Sequence, residues 1–130
     1  MARWLLPTAL VMLLLAAPAA SATPLAGTSW KVKRIEGRTV APEFRVALSF
    51  SKDDRRVGGS DGCNSFGGRY RATATRLRFS KLVSTLRGCA GPGPPSITAA
   101  MRGTRSYRRA GRRLLLLGAR GRTLAGLALR

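Results

Sequence analysis

Gly58-Gly59-Ser60-Asp61-Gly62-Cys63-Asn64-Ser65-Phe66-Gly67-Gly68-Arg69-Tyr70 is the stretch on which the reading of this chain turns. Five of its thirteen residues are glycine. Glycine permits positive φ and close backbone approach, and Asn tolerates the same region. The segment therefore reads as a tight corner between strands. Arg56 to Ser60 is a short strand entering it, Gly67-Gly68 breaks the chain, and Tyr70-Arg71-Ala72-Thr73 resumes as strand. Two roles suit the Gly62-Cys63-Asn64 turn. Its amides could form an anion nest, or the Asn side chain could simply cap local backbone. A phosphate loop is excluded, because no Gly-Lys-Ser/Thr follows and no helix is signalled next.

Outward from this corner the punctuation is that of many short strands. Thr28, Trp30 and Val32 alternate with Ser29, Lys31 and Lys33, the period of a half-buried strand. Val46, Leu48 and Phe50 alternate again, and Asp53-Asp54 supplies turn chemistry. Leu77 and Phe79 alternate with Arg76 and Arg78. Arg113 to Leu117, a Gly-containing turn, and Thr123 to Leu129 read as a closing hairpin. One segment differs. Pro95 suits a helix start, and Ile97, Ala100, Met101 and Thr104 fall at helical spacing, so one amphipathic helix is expected over Ser96 to Tyr107. About seven strands and one helix make an α+β domain with a mostly antiparallel sheet.

The order and spacing of these pieces resemble the META domain, or HslJ-like, family of bacterial envelope proteins. Gly27-Thr28-Ser29-Trp30 opens the match. The specific part is Gly62-Cys63-Asn64 with Phe66, Gly68 and Tyr70, paired with Thr85 and Cys89 in Ser84-Thr85-Leu86-Arg87-Gly88-Cys89. The likeness runs from roughly Leu25 to Leu127. It implies a sheet curled toward a partial barrel with a helix packed on it. It also implies export, and an association with envelope stress or drug tolerance. It implies no catalytic residues. The chain departs from the family pattern twice. Ser96-Ile97-Thr98 stands where relatives usually carry an acidic residue, and Ala72-Thr73-Ala74-Thr75 stands where they usually have an Asp-Gly-type turn. The second departure should loosen a hairpin.

The first 22 residues have the layout of a secretory signal peptide. Met1-Ala2-Arg3 carries positive charge, Trp4 to Ala17 is apolar save Thr8, and Ala20-Ser21-Ala22 offers small residues for cleavage. That apolar run is shorter than the roughly 20 residues a bilayer needs. No Cys follows it and no Arg-Arg precedes it, which argues against a lipoprotein anchor and the twin-arginine route. Residues 23–130 then form one exported domain, periplasmic or secreted, with no transmembrane segment and a monomeric state expected. In such a chain Cys63 and Cys89, both inside matched motifs, are expected to form a disulfide. Free thiols are the first alternative. A redox pair is the second, and it usually sits two residues apart, not 26.

Charge is the most unusual feature. The 130 residues carry 24 Lys+Arg against 5 Asp+Glu, a formal +19, and no His. No His means no His general base and no imidazole ligand, and two Cys cannot close a four-thiolate zinc site, so no metal or cofactor is expected. Residues 62–130 contain 15 basic residues and no acid. Arg102, Arg105, Arg108, Arg109, Arg112 and Arg113 are expected to cluster across the helix and the turn after it. Arg69, Arg71, Arg76 and Arg78 should share the solvent face of two adjacent strands. Such a surface attracts polyanions and anionic membranes, with steep salt dependence. In an exported protein these are lipid phosphates, lipopolysaccharide or teichoic acids, and acidic glycans. Compositional bias explains Arg over Lys but not the missing acids.

Other classes fare worse. Tyr70 or Phe79 among arginines could stack bases, but export argues against nucleic acid, and the aromatics are more simply core. Of the five carboxylates (Glu36, Glu43, Asp53, Asp54, Asp61), only Asp61 lies beside the corner, and glycosidase-type chemistry needs two at defined separation. The sequence thus reads as a non-enzymatic exported module that binds anionic envelope components. The alternative is a protein-interaction or inhibitor module whose partner is acidic.

Overall fold

In the computed structural model, residues 25–130 are described, together with Arg3, Ala9 and Val11–Leu13. Apart from those five, the segment expected to be a signal peptide lies outside the described residues. Among the described residues no helix is long and apolar enough to cross a membrane.

The first alternating run forms β1, Ser29–Ile35. Trp30, Val32 and Ile35 are buried, while Lys31, Lys33 and Arg34 face out. The skipped phase at Lys33 and Arg34 is a bulge against the last strand, where the register shifts between Val32 and Arg34. β2 (Arg38–Thr39) turns back on β1, and a 3-10 turn, Pro42–Phe44, leads to β3 (Ala47–Phe50). β4 (Arg56–Ser60), β5 (Ser65–Ala72) and β6 (Leu77–Ser84) form a meander. After α1 (Ile97–Gly103) come β7 (Ser106–Ala110), β8 (Arg113–Leu117) and β9 (Thr123–Leu129). The sheet runs β6-β5-β4-β3-β1-β9-β8-β7, antiparallel throughout, with β2 paired to β1.

The sheet curls so that its two ends meet at one corner. Leu77 N–H donates to Arg105 O at 3.1 Å, and Tyr107 N–H donates to Thr75 O at 3.0 Å. The rest of the opening is filled by α1, which packs on β6, β9, β1 and β8 with Ile97, Ala100 and Met101 buried. Ser96 caps the helix by accepting from Ala99 N–H. The result is a half-barrel around Trp30, Leu48, Leu77, Leu114 and Leu116, each fully buried. Phe50 packs against β5 and β6, with its ring edge-on to Tyr70 at 4.8 Å and stacked on Phe79 at 6.1 Å.

Three expectations are corrected. The helix does not reach Tyr107; it stops at Gly103, and Thr104 closes it by donating its hydroxyl to Ala100 O. The residues after it form β7, where Tyr107 is buried and pairs with Leu116. The helical spacing at 97, 100, 101 and 104 was real but ended there, and β7's own alternation is masked by an arginine on its inner face. Nor do Gly67-Gly68 break the chain. β5 runs through both, and at Gly68 the neighbouring strand approaches too closely for a side chain. A Cβ on Gly68 would lie 2.6 Å from the Leu82 side chain, and one on Gly59 in β4 would lie 2.0 Å from Ala47 O. Lastly, the turn at Ala72–Thr75 is not loose: Thr73 Oγ1 accepts from Thr75 and Arg76 N–H, and Tyr107 donates its hydroxyl to Thr73 O at 2.7 Å. With β2 and β7 added to the strands read from alternation, the described residues hold nine.

Candidate functional site

The two specific sequence pieces meet in space. Cys63 and Cys89 are joined by a disulfide with Cα atoms 6.0 Å apart. Asn64 Oδ1 accepts from Thr85 Oγ1 at 2.9 Å and from Arg87 N–H at 2.6 Å, and Ser65 N–H donates to Thr85 Oγ1. The loop after β6 is thus clamped to the corner before β5 by one covalent bond and one amide. Gly62 sits at φ +98, where an L side chain is strained, and a Cβ there would meet Pro94 at 2.9 Å.

The corner's amides are already engaged. Gly62 N–H donates to Ser60 Oγ, Cys63 and Asn64 N–H to Asp61 Oδ1, and Ser65 N–H to Thr85. Asp61 therefore holds the turn in shape, and the anion nest has no free donor among these amides. Of the two readings of this corner, the geometry is that of a structural clamp. What the clamp presents outward is Leu86, 99% exposed, next to Arg87, with Val83 71% exposed at the end of β6.

The comparisons with known proteins agree with this arrangement. A family model, the META domain, matches residues 23–129. The chain belongs to the META domain family. No curated protein matches it. Two solved NMR structures share its fold. One, a protein from Burkholderia xenovorans, is 23% identical over 88% of this chain and 97% of its own, with a TM-score of 0.62. The other is 20% identical over 81% of this chain and 91% of its own, with a TM-score of 0.63.

In this META domain the remaining motif residues are structural. Trp30 is buried and donates its indole N–H to Thr28 Oγ1 at 2.8 Å; Phe66 and Tyr70 are buried on β5, and Tyr70 donates its hydroxyl to Ser51 O. The six arginines expected across the helix and the turn after it are spread over more elements than that, because the helix is short. Arg102 is on α1 and Arg105 lies between α1 and β7. Arg108 and Arg109 are on β7, Arg112 is in the following turn, and Arg113 opens β8. Arg109 turns inward, with its guanidinium 5.0 Å from the Trp30 ring centroid and Nε donating to Gly111 O.

The clearest basic surface is on β4, β5 and β6. Arg71 stands directly across from Arg78, and Arg56 directly across from Arg69. All four are exposed, and Arg76 is exposed just before β6. Arg56 was not singled out by the sequence; it joins the others through strand register, not chain proximity. Among the described residues two ion pairs answer this charge, Arg56 with Asp54 and Arg122 with Glu36. Asp54 is held below the usual carboxylate range, chiefly by the Ser51 hydroxyl and also by Arg56.

Proposed function

We propose that this META domain is exported, works without catalysis at the cell envelope, and binds anionic envelope components through its arginine-bearing outer face. The observation that carries this reading is the pairing of like charges across strands. Opposed like charges on a sheet are destabilising. Arg71–Arg78 and Arg56–Arg69 are both so opposed, Asp54 answering Arg56 in the second pair, and no acidic residue follows Asp61. A bound polyanion would reverse the sign of that interaction. The disulfide suits an oxidising compartment, which supports export.

The test is binding of the purified, oxidised protein to anionic and to neutral vesicles across a salt series. Binding to anionic vesicles alone, persisting near 150 mM salt and lost in Arg69→Glu/Arg71→Glu/Arg78→Glu, is the expected result. Binding that vanishes by that salt reduces the charge to background. Leu86 favours a second reading, a protein-interaction module with an acidic partner. Such an interface would survive salt and fail in Leu86→Asp.

A further inference from the structure

Three clefts on the described surface differ in chemistry. The cleft beside Tyr70 and Tyr107, about 440 Å³, includes Asp53, and both tyrosine hydroxyls are already bonded to main-chain carbonyls. The cleft over β8 and β9, about 270 Å³, includes Glu36, which pairs with Arg122. The third lies between β1, the 3-10 turn and β3, at about 600 Å³, and no carboxylate side chain lines it. Its lining combines apolar residues, Val40, Ala41, Pro42 and Ala47 among them, with the cations Lys31, Lys33, Arg34 and Arg45. Arg130 also borders it.

The volume falls within the roughly 300–1,000 Å³ of small-molecule sites, which pair apolar walls with a few placed polar groups. The guanidinium of Arg34 and the backbone of Arg45 are held in place. Arg34 donates to Thr39 Oγ1 and to Gly37 O across the β1–β2 turn. Arg45 sits at φ +54, outside the ordinary range for a non-glycine residue, and its N–H donates to Pro42 O at the end of the 3-10 turn. Glu43, the nearest acid in sequence, is exposed and not part of the lining.

We propose that this groove binds a single-chain anionic amphiphile: a hydrocarbon chain along Val40–Pro42, with its anionic head among Lys31, Lys33, Arg34 and Arg45. Cations alone would attract any anion, and apolar walls alone any oil. A groove with both and no acidic side chain in its lining selects a molecule that carries both. The proposal does not depend on the arginines of β5 and β6, which β4 separates from β3 in the sheet.

The experiment is calorimetric titration of the oxidised protein at about 150 mM salt with dodecyl phosphate, below its micelle-forming concentration. Dodecyl maltoside supplies the chain without the charge, and inorganic phosphate the charge without the chain. Saturable 1:1 binding of dodecyl phosphate is expected, at least tenfold tighter than the maltoside and hundredfold tighter than phosphate. Removing two methylenes should weaken it about tenfold. Lys31→Gln/Arg45→Gly should weaken it at least tenfold, and glycine at 45 adopts positive φ without strain, so the fold is kept. Arg71→Glu/Arg78→Glu should leave this affinity unchanged while weakening vesicle binding, which separates the two proposals. Equal affinity for phosphate and dodecyl phosphate, indifference to chain length, or an unaltered Lys31→Gln/Arg45→Gly variant would each overturn the inference.

Discussion

In β1, β8 and β9, strands of 7, 5 and 7 residues, nine side chains are buried. In β4, β5 and β6, strands of 5, 8 and 8 residues, only Val57, Phe66, Tyr70 and Leu77 are. α1, with Ile97, Ala100 and Met101 buried, packs on all three strands of the first group and, in the second, on β6. The second receives the disulfide, the Asn64 clamp and two glycines that bring strands into contact. One end of the sheet is held by apolar packing. The other has little to pack and is held by directional bonds. That same wing carries the opposed arginine pairs, so the region most exposed to charge repulsion is also the one stapled.

The largest effect should come from the packed end. Trp30→Ala removes a fully buried ring and the surface beneath Arg109, and a loss of about 3–5 kcal/mol is expected. Domains of this size are stable by only about 5–15 kcal/mol, so denaturant unfolding should show a fold near collapse. Reduction of Cys63–Cys89, which closes a 26-residue separation, should cost about 3.5 kcal/mol in the chain-entropy model. The two losses should differ in place. Amide exchange in the reduced protein should rise first in β5 and β6, while β1 and β9 keep their protection. Uniform loss of protection would mean the wing is not a separate unit.

Asn64→Ala comes next, at about 1–2 kcal/mol, because two donors lose their acceptor while the disulfide persists. Combined with Cys63→Ser/Cys89→Ser, its cost should not add, since both changes release the same loop. A pH effect tests the seam between the ends. Burial raises the phenol pKa of both Tyr70 and Tyr107 above the ordinary 10, with the Asp54 charge contributing at Tyr70. A phenol that ionises more readily when unfolded stabilises the fold below pH 10 and loses that contribution as pH rises through the folded value. Denaturation midpoints should therefore fall above pH 10, with absorbance at 295 nm reporting phenolate at higher pH in the folded than in the unfolded chain.

The packed end was the more legible of the two. Trp30 and Val32 alternating with lysines, and the leucines from 114 to 117, announce buried strands because their neighbours are few in kind. β7 was illegible because Arg109, a charged residue, occupies its inner face over Trp30, and no local pattern reveals a cation stacked on a ring from a distant strand. The wing's strands showed in Arg69, Arg71, Arg76 and Arg78, but its glycines read as a break, since close approach depends on which strand lies alongside. Asn64 and Thr85 belonged to motifs whose residues the sequence named without their bonds. The groove of Lys31, Lys33, Arg34 and Arg45 was not read, because half its lining arrives from the segment between Val40 and Ala47, around the 3-10 turn, after a reversal of the chain. Its one signal was the outward lysines of β1.

The smallest expected effect has the opposite sign. Arg71 and Arg78 face each other with no carboxylate between them in the sheet register. Replacing Arg78 with Glu converts a repulsive cross-strand pair into an attractive one, for a gain of about 0.2–1 kcal/mol that shrinks as salt is raised. The same change should weaken binding to anionic vesicles. A variant more stable yet poorer at binding would mean the wing gives up stability to keep its charge. A variant less stable than the parent would show that these guanidiniums contribute through packing of their stems, and the contrast between the two ends would then lose its electrostatic half.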